Sequence, residues 1–259
     1  MSEKYFKRLR FSRVQHDLAL ISEMEIQRQE MLSILGLKNN EIYADIGSGT
    51  GAMVEEANKI LGPSGKSFGI DISPKMIEQA KKDYPNCVFI EGDMTNLQFE
   101  DNSLDALSMA QALSFCKNAD KAIAEIFRVL KPGGRAVILD TDWQSLVWNS
   151  PDPDLTERAV DLLLTKYHDP HLPRTLSRRL TAVGFEIGGR SALNLTNWSF
   201  ETDSYAYQTC QFIKAMMEEA PAFTSRDLER FLSLQIEIDN IGDYLFSLNR
   251  YIFMAIKPA

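Results

Sequence analysis

Three glycines spaced two apart, Gly47, Gly49 and Gly51, lie between an apolar run and a helix-like run in the stretch IYADIGSGTGAMVEEA. Such a loop lets a ligand approach the backbone without a Cβ clash, and the helix N-terminus behind it favours an anion. Asp45, two residues before the first glycine, narrows the choice. A carboxylate there is a poor neighbour for a phosphate. GSGTGA also satisfies the degenerate dinucleotide pattern GxGxxG/A, with Ala52 in the last place. A nicotinamide- or flavin-dependent oxidoreductase is therefore a rival reading, and a turn that only packs helix on strand is a third.

The elements that must position this loop follow from periodicity. EIYADIG, KSFGIDIS, NCVFIEGD, SLDALSMA and RAVILD read as five buried strands. Helices alternate with them: residues 52–61, SPKMIEQAKKDY with Ser73 as N-cap and Pro74 at its first position, and ADKAIAEIFRVL with Ile123, Ile126, Phe127 and Leu130 on one face. KPGG turns the chain from helix to strand. Alternation of this kind implies a parallel sheet with right-handed crossovers. Before it, residues 13–36 read as one helix stopped by Gly36. After it come helices at 154–167 and in PRTLSRRLTAVGF, a strand in FEIGGRSALNLT, two helices divided by Pro221, and a final strand in LNRYIFMAIKP.

Four stretches, in order, resemble the class I methyltransferases that use S-adenosylmethionine. They are YADIGSGTG, GIDIS, EGDMTNLQFEDNSLDALSMAQAL and AIAEIFRVLKPGGRAVILD, together spanning about residues 40–140. More narrowly, the chain is similar to the small-molecule branch that includes the ubiquinone and menaquinone C-methyltransferases. The resemblance implies an α/β, Rossmann-like class I methyltransferase fold: a mostly parallel seven-stranded sheet with an antiparallel C-terminal strand, plus helical cap insertions. It implies S-adenosyl-L-methionine as cofactor and methyl transfer to a small-molecule acceptor by in-line displacement. It also implies a cofactor site made of Asp45, Gly47, Ser48, Gly49 and Gly51 in the loop. Asp71 would take the ribose hydroxyls, a role shared with the nicotinamide reading. Ile72 would pack on the adenine, Asp93 accept from its amino group, the Met94 amide meet a ring nitrogen, and Gln111 face the methionine portion. Residues 1–38 would form an N-terminal helical cover, 40–140 the cofactor core, and 143–170 with 200–241 a helical cap over the acceptor, all in one domain.

The acceptor in such a fold sits beyond the C-terminal strand ends. DTDWQSLVW follows the fifth strand, and makes Asp140, Asp142, Trp143 and Trp148 candidates for its wall. An O- or C-acceptor needs a base, and His168, His171 and Asp142 are the candidate catalytic residues, histidine because it titrates near neutrality. Each also has a plain structural reading as a satisfied loop or helix-end group. Arg174 suits an acidic acceptor or a surface ion pair, and Tyr205 and Tyr207 suit the pocket or the core. Tyr5, Phe6, Phe11 and His16 on the N-terminal segment are further ligand candidates. Asp140, Asp142 and Asp169 have no fixed metal-ligand spacing, so no required metal is expected.

The 259 residues carry a net charge of -8, with 44% hydrophobic and 25% charged residues. The acidic balance opposes the phosphate contacts on which nucleic-acid affinity rests, and SMAQ stands where amino-methylating DNA enzymes have [DN]PP[YF]. The expected partner is therefore a small molecule and not a nucleic acid. Cys87, Cys116 and Cys210 form no CxxC pair, no run reaches the roughly 20 apolar residues of a membrane helix, and a cytoplasmic protein is expected. A non-catalytic S-adenosylmethionine-binding protein is a further alternative, because this fold needs no invariant catalytic side chain. The sequence sets neither the attacking atom nor the oligomeric state.

Overall fold

The computed structural model describes residues 9–259. β1 (Ile42–Ile46), β2 (Lys66–Asp71), β3 (Val88–Glu91), β4 (Leu104–Ala110) and β5 (Leu130–Thr141) run parallel in the order 3-2-1-4-5. β8 (Phe246–Ile256) lies antiparallel beside β5, from Arg135↔Ile256 to Thr141↔Arg250. β7 (Glu186–Asn197) pairs antiparallel along the other side of β8. The expected sheet is thus present, with one addition: the two-residue β6 (Val147–Trp148), which pairs with the start of β8. KPGG is less of a clean turn than its sequence implies. Leu130 already pairs with Leu104, and a register shift follows before Arg135 meets Ala106.

α1 (Leu9–Leu20) and α2 (Ser22–Leu35) replace the single helix read over 13–36. The break falls at Ile21, whose backbone is extended (φ −71°, ψ 154°). Packing explains it. Met31, Leu32 and Leu35 of α2 are buried on the sheet with Tyr43 and Leu61, whereas Ile21 and Met24 are buried in a second cluster among the later helices. A straight helix could not serve both. α2 ends as expected at Gly36, whose left-handed backbone returns an N–H to the Leu32 carbonyl.

α3 (Ala52–Leu61), α4 (Pro74–Asp83), α5 (Ala119–Val129) and α7 (Pro173–Val183) cover the sheet. α5 buries Ala122, Ile123 and Ile126 against it. α4 starts at the predicted Ser73 cap. α6 (Pro153–Leu164), α8 (Tyr205–Met217) and α9 (Ser225–Asn240) gather at the C-terminal end of the strands around Trp143, Leu163, Phe231 and Phe246. Each begins on a polar side chain: Asp152, Ser204 and Thr224 accept from Leu155, Tyr207 and Asp227 amides, the last in a reciprocal capping box. Caps of this kind contribute about 1 kcal/mol each. α8 and α9 form an insertion between β7 and β8 whose two ends are closed by the long β7–β8 ladder.

One glycine decides how α3 meets the sheet. Gly51 caps it at φ 91°, and a Cβ there would lie 2.5 Å from the Phe89 ring. Gly51→Ala is expected to lower the unfolding free energy by roughly 2–5 kcal/mol, combining left-handed backbone strain with overpacking. Urea denaturation with an unchanged m-value checks this.

Candidate active site

The loop 47–51 is held by backbone. The Gly47 and Ser48 amides both donate to the Ile70 carbonyl, at 2.7 and 3.0 Å, so β1's exit is tied to the end of β2. Gly51 N–H closes the turn on Ser48 O at 3.0 Å. Gly49 has φ 52°, and a Cβ on it would meet nothing within 4 Å, so this backbone faces open space. Behind it α3 begins without a side-chain cap. Its first amides and the helix dipole favour an anionic group there.

Carboxylates flank the loop. Asp45 is buried and accepts from the Ser108 hydroxyl at 2.5 Å. The Ser108 oxygen lies 2.5 Å from the Tyr43 hydroxyl. With the serine proton spent on Asp45, the tyrosine is the donor in that contact. Burial pushes the Asp45 carboxyl up to about 7, against the lowering effect of Ser108. Asp71 takes the Gly49 amide on Oδ2 at 2.9 Å and the Ser73 amide on Oδ1 at 2.8 Å, and burial raises its pKa as well. Ile72 beside it is 40% exposed. Asp93 is exposed and accepts from Thr95 N–H on Oδ1, with Met94 half-buried next to it. Gln111 has a left-handed backbone (φ 51°); its side-chain amide donates to the Thr141 hydroxyl, and its buried Oε1 has no partner among the described residues. Strain of this kind in a glutamine clusters where structure overdetermines a site.

Asp45, Gly47, Ser48, Gly49, Asp71, Ile72, Asp93, Met94 and Gln111 line one cavity of about 620 Å³. Gly51 does not line it; it seats the helix. The cavity continues past the loop into an aromatic end formed by Phe115, Trp143, Tyr167, Tyr205 and Phe212, with Phe115 stacked on Tyr167 at 4.4 Å. α1 contributes Val14, Leu18 and Ala19, and Arg28 of α2 ties α1 down by donating to the Ala19 carbonyl while pairing with Glu56 at 2.5 Å.

The candidates beyond β5 divide. His168 and Trp143 line the cavity, His168 exposed at its edge. His171 and Asp142 do not. They meet each other instead, His171 Nδ1 at 3.0 Å from Asp142 Oδ1, while Arg174 donates to both Asp142 oxygens at 2.6 and 3.0 Å. Burial would raise the Asp142 pKa, but the Arg174 and His171 hydrogen bonds outweigh it and hold the carboxyl below its ordinary range. An acid held ionised in an ion pair away from the cavity is a poor proton acceptor for a bound substrate. Arg174 is likewise committed to that pair.

Asp140 is fully buried on the Ser114 and Thr141 amides, and Asp169 pairs with Arg179 at 3.1 Å, so the three acids do not converge on one point. Trp148 is cap core: its Nε1 donates to Gln235 at 2.8 Å and its ring packs edge-on to Phe231 and Phe246. Tyr205 lines the cavity, but Tyr207 packs on Phe200. His16 faces Asp83 at 3.8 Å and does not line it. Tyr5, Phe6 and the Phe11 side chain lie outside the described residues. Sequence reading missed Phe115, Tyr167 and Arg250. For Arg250 a signal existed: in FSLNRYI every second residue is buried, and the arginine occupies the inward phase with Phe246, Leu248 and Ile252.

A parallel sheet with an antiparallel last strand, a glycine loop flanked by Asp45 and Asp71, and a cavity running from that loop to an apolar wall give the α/β fold of the class I methyltransferases. Residues 44–138 match the family profile described as "Methyltransferase domain". Those residues carry the pattern of a methyltransferase domain. The chain is 32% identical over 174 residues to an uncharacterised 37.1 kDa protein in transposon TN4556 of Streptomyces fradiae, covering 66% of this chain and 50% of that protein. It is 31% identical over 142 residues to the ubiquinone/menaquinone biosynthesis C-methyltransferase UbiE of Saccharophagus degradans, covering 52% of this chain and 54% of that one. The chain thus spans about half the length of the curated relatives it matches. Among solved structures, a putative methyltransferase from Bacillus halodurans superposes with a TM-score of 0.61 at 17% identity, covering 90% of this chain and 100% of that one.

The buried acids make stability depend on pH. Asp45 at about 7 and Asp140 at about 6 both titrate above the ordinary 3.8, so between these limits the folded state binds more protons than the unfolded chain. Their contribution therefore falls as pH rises from about 4 to 7. Melting curves at steps across that window are expected to show the decline. Asp45→Asn should flatten its upper part and Asp140→Asn its lower part.

Proposed function

We propose that the protein is an S-adenosylmethionine-dependent methyltransferase acting on a small-molecule acceptor. The observation that carries this reading is the single cavity that joins a glycine-loop end, lined by Asp45, Asp71 and Asp93, to an aromatic end lined by Trp143, Tyr167 and Tyr205. The lining suits an adenosyl amino acid. Asp71 would hold the ribose, Ile72 the adenine face, Asp93 and the Met94 amide the adenine edge. The open backbone at Gly49 and the uncapped start of α3 would take the amino-acid carboxylate, and Asp45 and Gln111 its positive end. When bound, S-adenosylmethionine supplies a methyl group already activated on a sulfonium.

The chain's own part is positioning and exclusion of water. Alignment of a reacting pair is worth about 7–11 kcal/mol in favourable models. We assign the cover to α1, the acceptor wall to residues 143–170 and the α8–α9 insertion, and cofactor binding to residues 40–140, all within one domain. His168 is the one candidate base that reaches the cavity, and we assign it the proton of an O- or C-acceptor. Asp142, His171 and Arg174 we read as a clasp between the β5 exit and the start of α7. The three free cysteines suit a reducing compartment such as the cytoplasm. Among the described residues no helix is long and apolar enough to cross a membrane.

Thermal melting with S-adenosylhomocysteine, S-adenosylmethionine, NADH and NADPH tests the cofactor. A ligand at 100 times its Kd stabilises by about 2.7 kcal/mol, a rise of several degrees at this size. The rise is expected with the two adenosyl ligands alone, and Asp71→Ala and Asp93→Ala should each weaken them about tenfold or more, the cost of a lost hydrogen bond to a charged acceptor. A rise with NADH or NADPH alone would end the methyltransferase reading. Once an acceptor is found, His168→Ala should lower kcat by about 10²–10⁴ and remove the acidic limb of the pH profile, whereas His171→Ala should leave kcat within a few-fold.

A further inference from the structure

Arg250 is a buried charge with no carboxylate partner among the described residues. It sits on β8, opposite Thr141 of β5 and Leu193 of β7, and is 2% exposed, yet it lines the cavity at its aromatic end. No carboxylate lies within ion-pair distance of it among the described residues. Its Nη1 donates to Gln27 Oε1 and to Met24 Sδ at 3.2 Å, and its guanidinium lies over the Tyr205 ring at 4.4 Å. Nε and Nη2 make no hydrogen bond among those residues, and Nε is buried. Asp140, the acid nearest in charge influence, spends its oxygens on the Ser114 and Thr141 amides.

A buried guanidinium without a counter-ion is costly, and removing one partner of a buried pair is among the most damaging of changes. Here the missing partner has an obvious route in, because the cavity reaches the residue. The unused edge, Nε with Nη2, is also the edge that receives two carboxylate oxygens side by side. The neighbouring wall is apolar and flat-faced: Phe115, Trp143, Leu163, Tyr167 and Phe212. The other arginine of the cavity, Arg28, is already paired with Glu56.

Resting on the methyltransferase reading, the geometry points to an acceptor with a flat apolar body and a carboxylate, its anionic group seated on Arg250 and its body between the aromatic walls. Gln27, Met24 and Tyr205 are positioning residues that hold the guanidinium in place. The carboxylate of the adenosyl amino acid is the competing source of the same chemistry, and the test separates the two.

The test is calorimetric titration of 2-naphthoate and of its neutral isostere 2-naphthamide into the full chain, with and without saturating S-adenosylhomocysteine. Wild type is expected to bind the carboxylate at least tenfold more tightly than the amide, the difference a charge-assisted pair makes. Arg250→Gln should bring the two within threefold of each other and leave the S-adenosylhomocysteine Kd within threefold of wild type. Arg250→Lys, which keeps the charge, should retain part of the preference, and with the wild-type pair it decides the matter if Arg250→Gln does not fold. Equal binding of the two probes to wild type, or a preference that survives in Arg250→Gln, overturns the proposal. So does a tenfold loss of S-adenosylhomocysteine affinity in Arg250→Gln with the probe preference intact, which gives the guanidinium to the nucleoside. Failure of wild type to bind S-adenosylhomocysteine at all strikes the methyltransferase reading instead, and the titration without nucleoside still reads the anion seat.

Discussion

Two amides, of Gly47 and Ser48, converge on one carbonyl, that of Ile70, and the rest of the site depends on that convergence. It fixes where β1 leaves the sheet relative to the end of β2. It therefore sets the distance between Asp45, one residue before the end of β1, and Asp71, which closes β2. It also aims the start of α3 into the cavity, because the chain must pass through Gly49 and Gly51 in left-handed conformations to re-enter a helix. A backbone device of this sort is stiff, since it needs no side-chain rotamer to hold. The side chains it presents can then be chosen for chemistry.

That choice sets carboxylates against burial. Asp45 lies under the loop, where desolvation favours its neutral form against the support of the Ser108 hydroxyl and the Arg28 charge. A cationic ligand approaching the loop would shift the balance toward the carboxylate by adding a further positive neighbour. At the opposite end of the cavity the signs are exchanged, with a buried guanidinium that has no carboxylate within ion-pair distance among the described residues. The cavity is thus electrically polarised along its length, with its apolar walls between.

Much of this was legible in the sequence because it is local. The five strand–helix units, the Ser73 cap, the Gly36 stop and the order of the loop residues all follow from patterns within about fifteen residues, and the structure places Asp45, Asp71, Asp93 and Gln111 on one cavity although they are distant in the chain. What was not legible depends on registration between remote segments. The break at Ile21 exists because two different cores pull on one helix. Asp142, His171 and Arg174 look like catalytic or substrate-binding groups until the fold shows them occupied with one another. Phe115 and Tyr167 are ordinary aromatic residues until α6 brings one over the other. Arg250 was the exception, a charge in the inward phase of an alternating strand, and that violation of pattern was visible without coordinates.

Two of the hydrophobic clusters also bear on how such a protein can change over generations. One, with Ile46, Leu107 and Ile138, supports the loop; the other, with Leu163, Ile213 and Phe231, supports the aromatic wall. The α8–α9 insertion enters and leaves through a single antiparallel hairpin, so it is anchored at one place on the sheet. Substitutions in separate clusters with no shared partners are close to additive. Lineages can therefore reshape the aromatic wall of the cavity, residue by residue, while its glycine-loop end stays under its own independent selection.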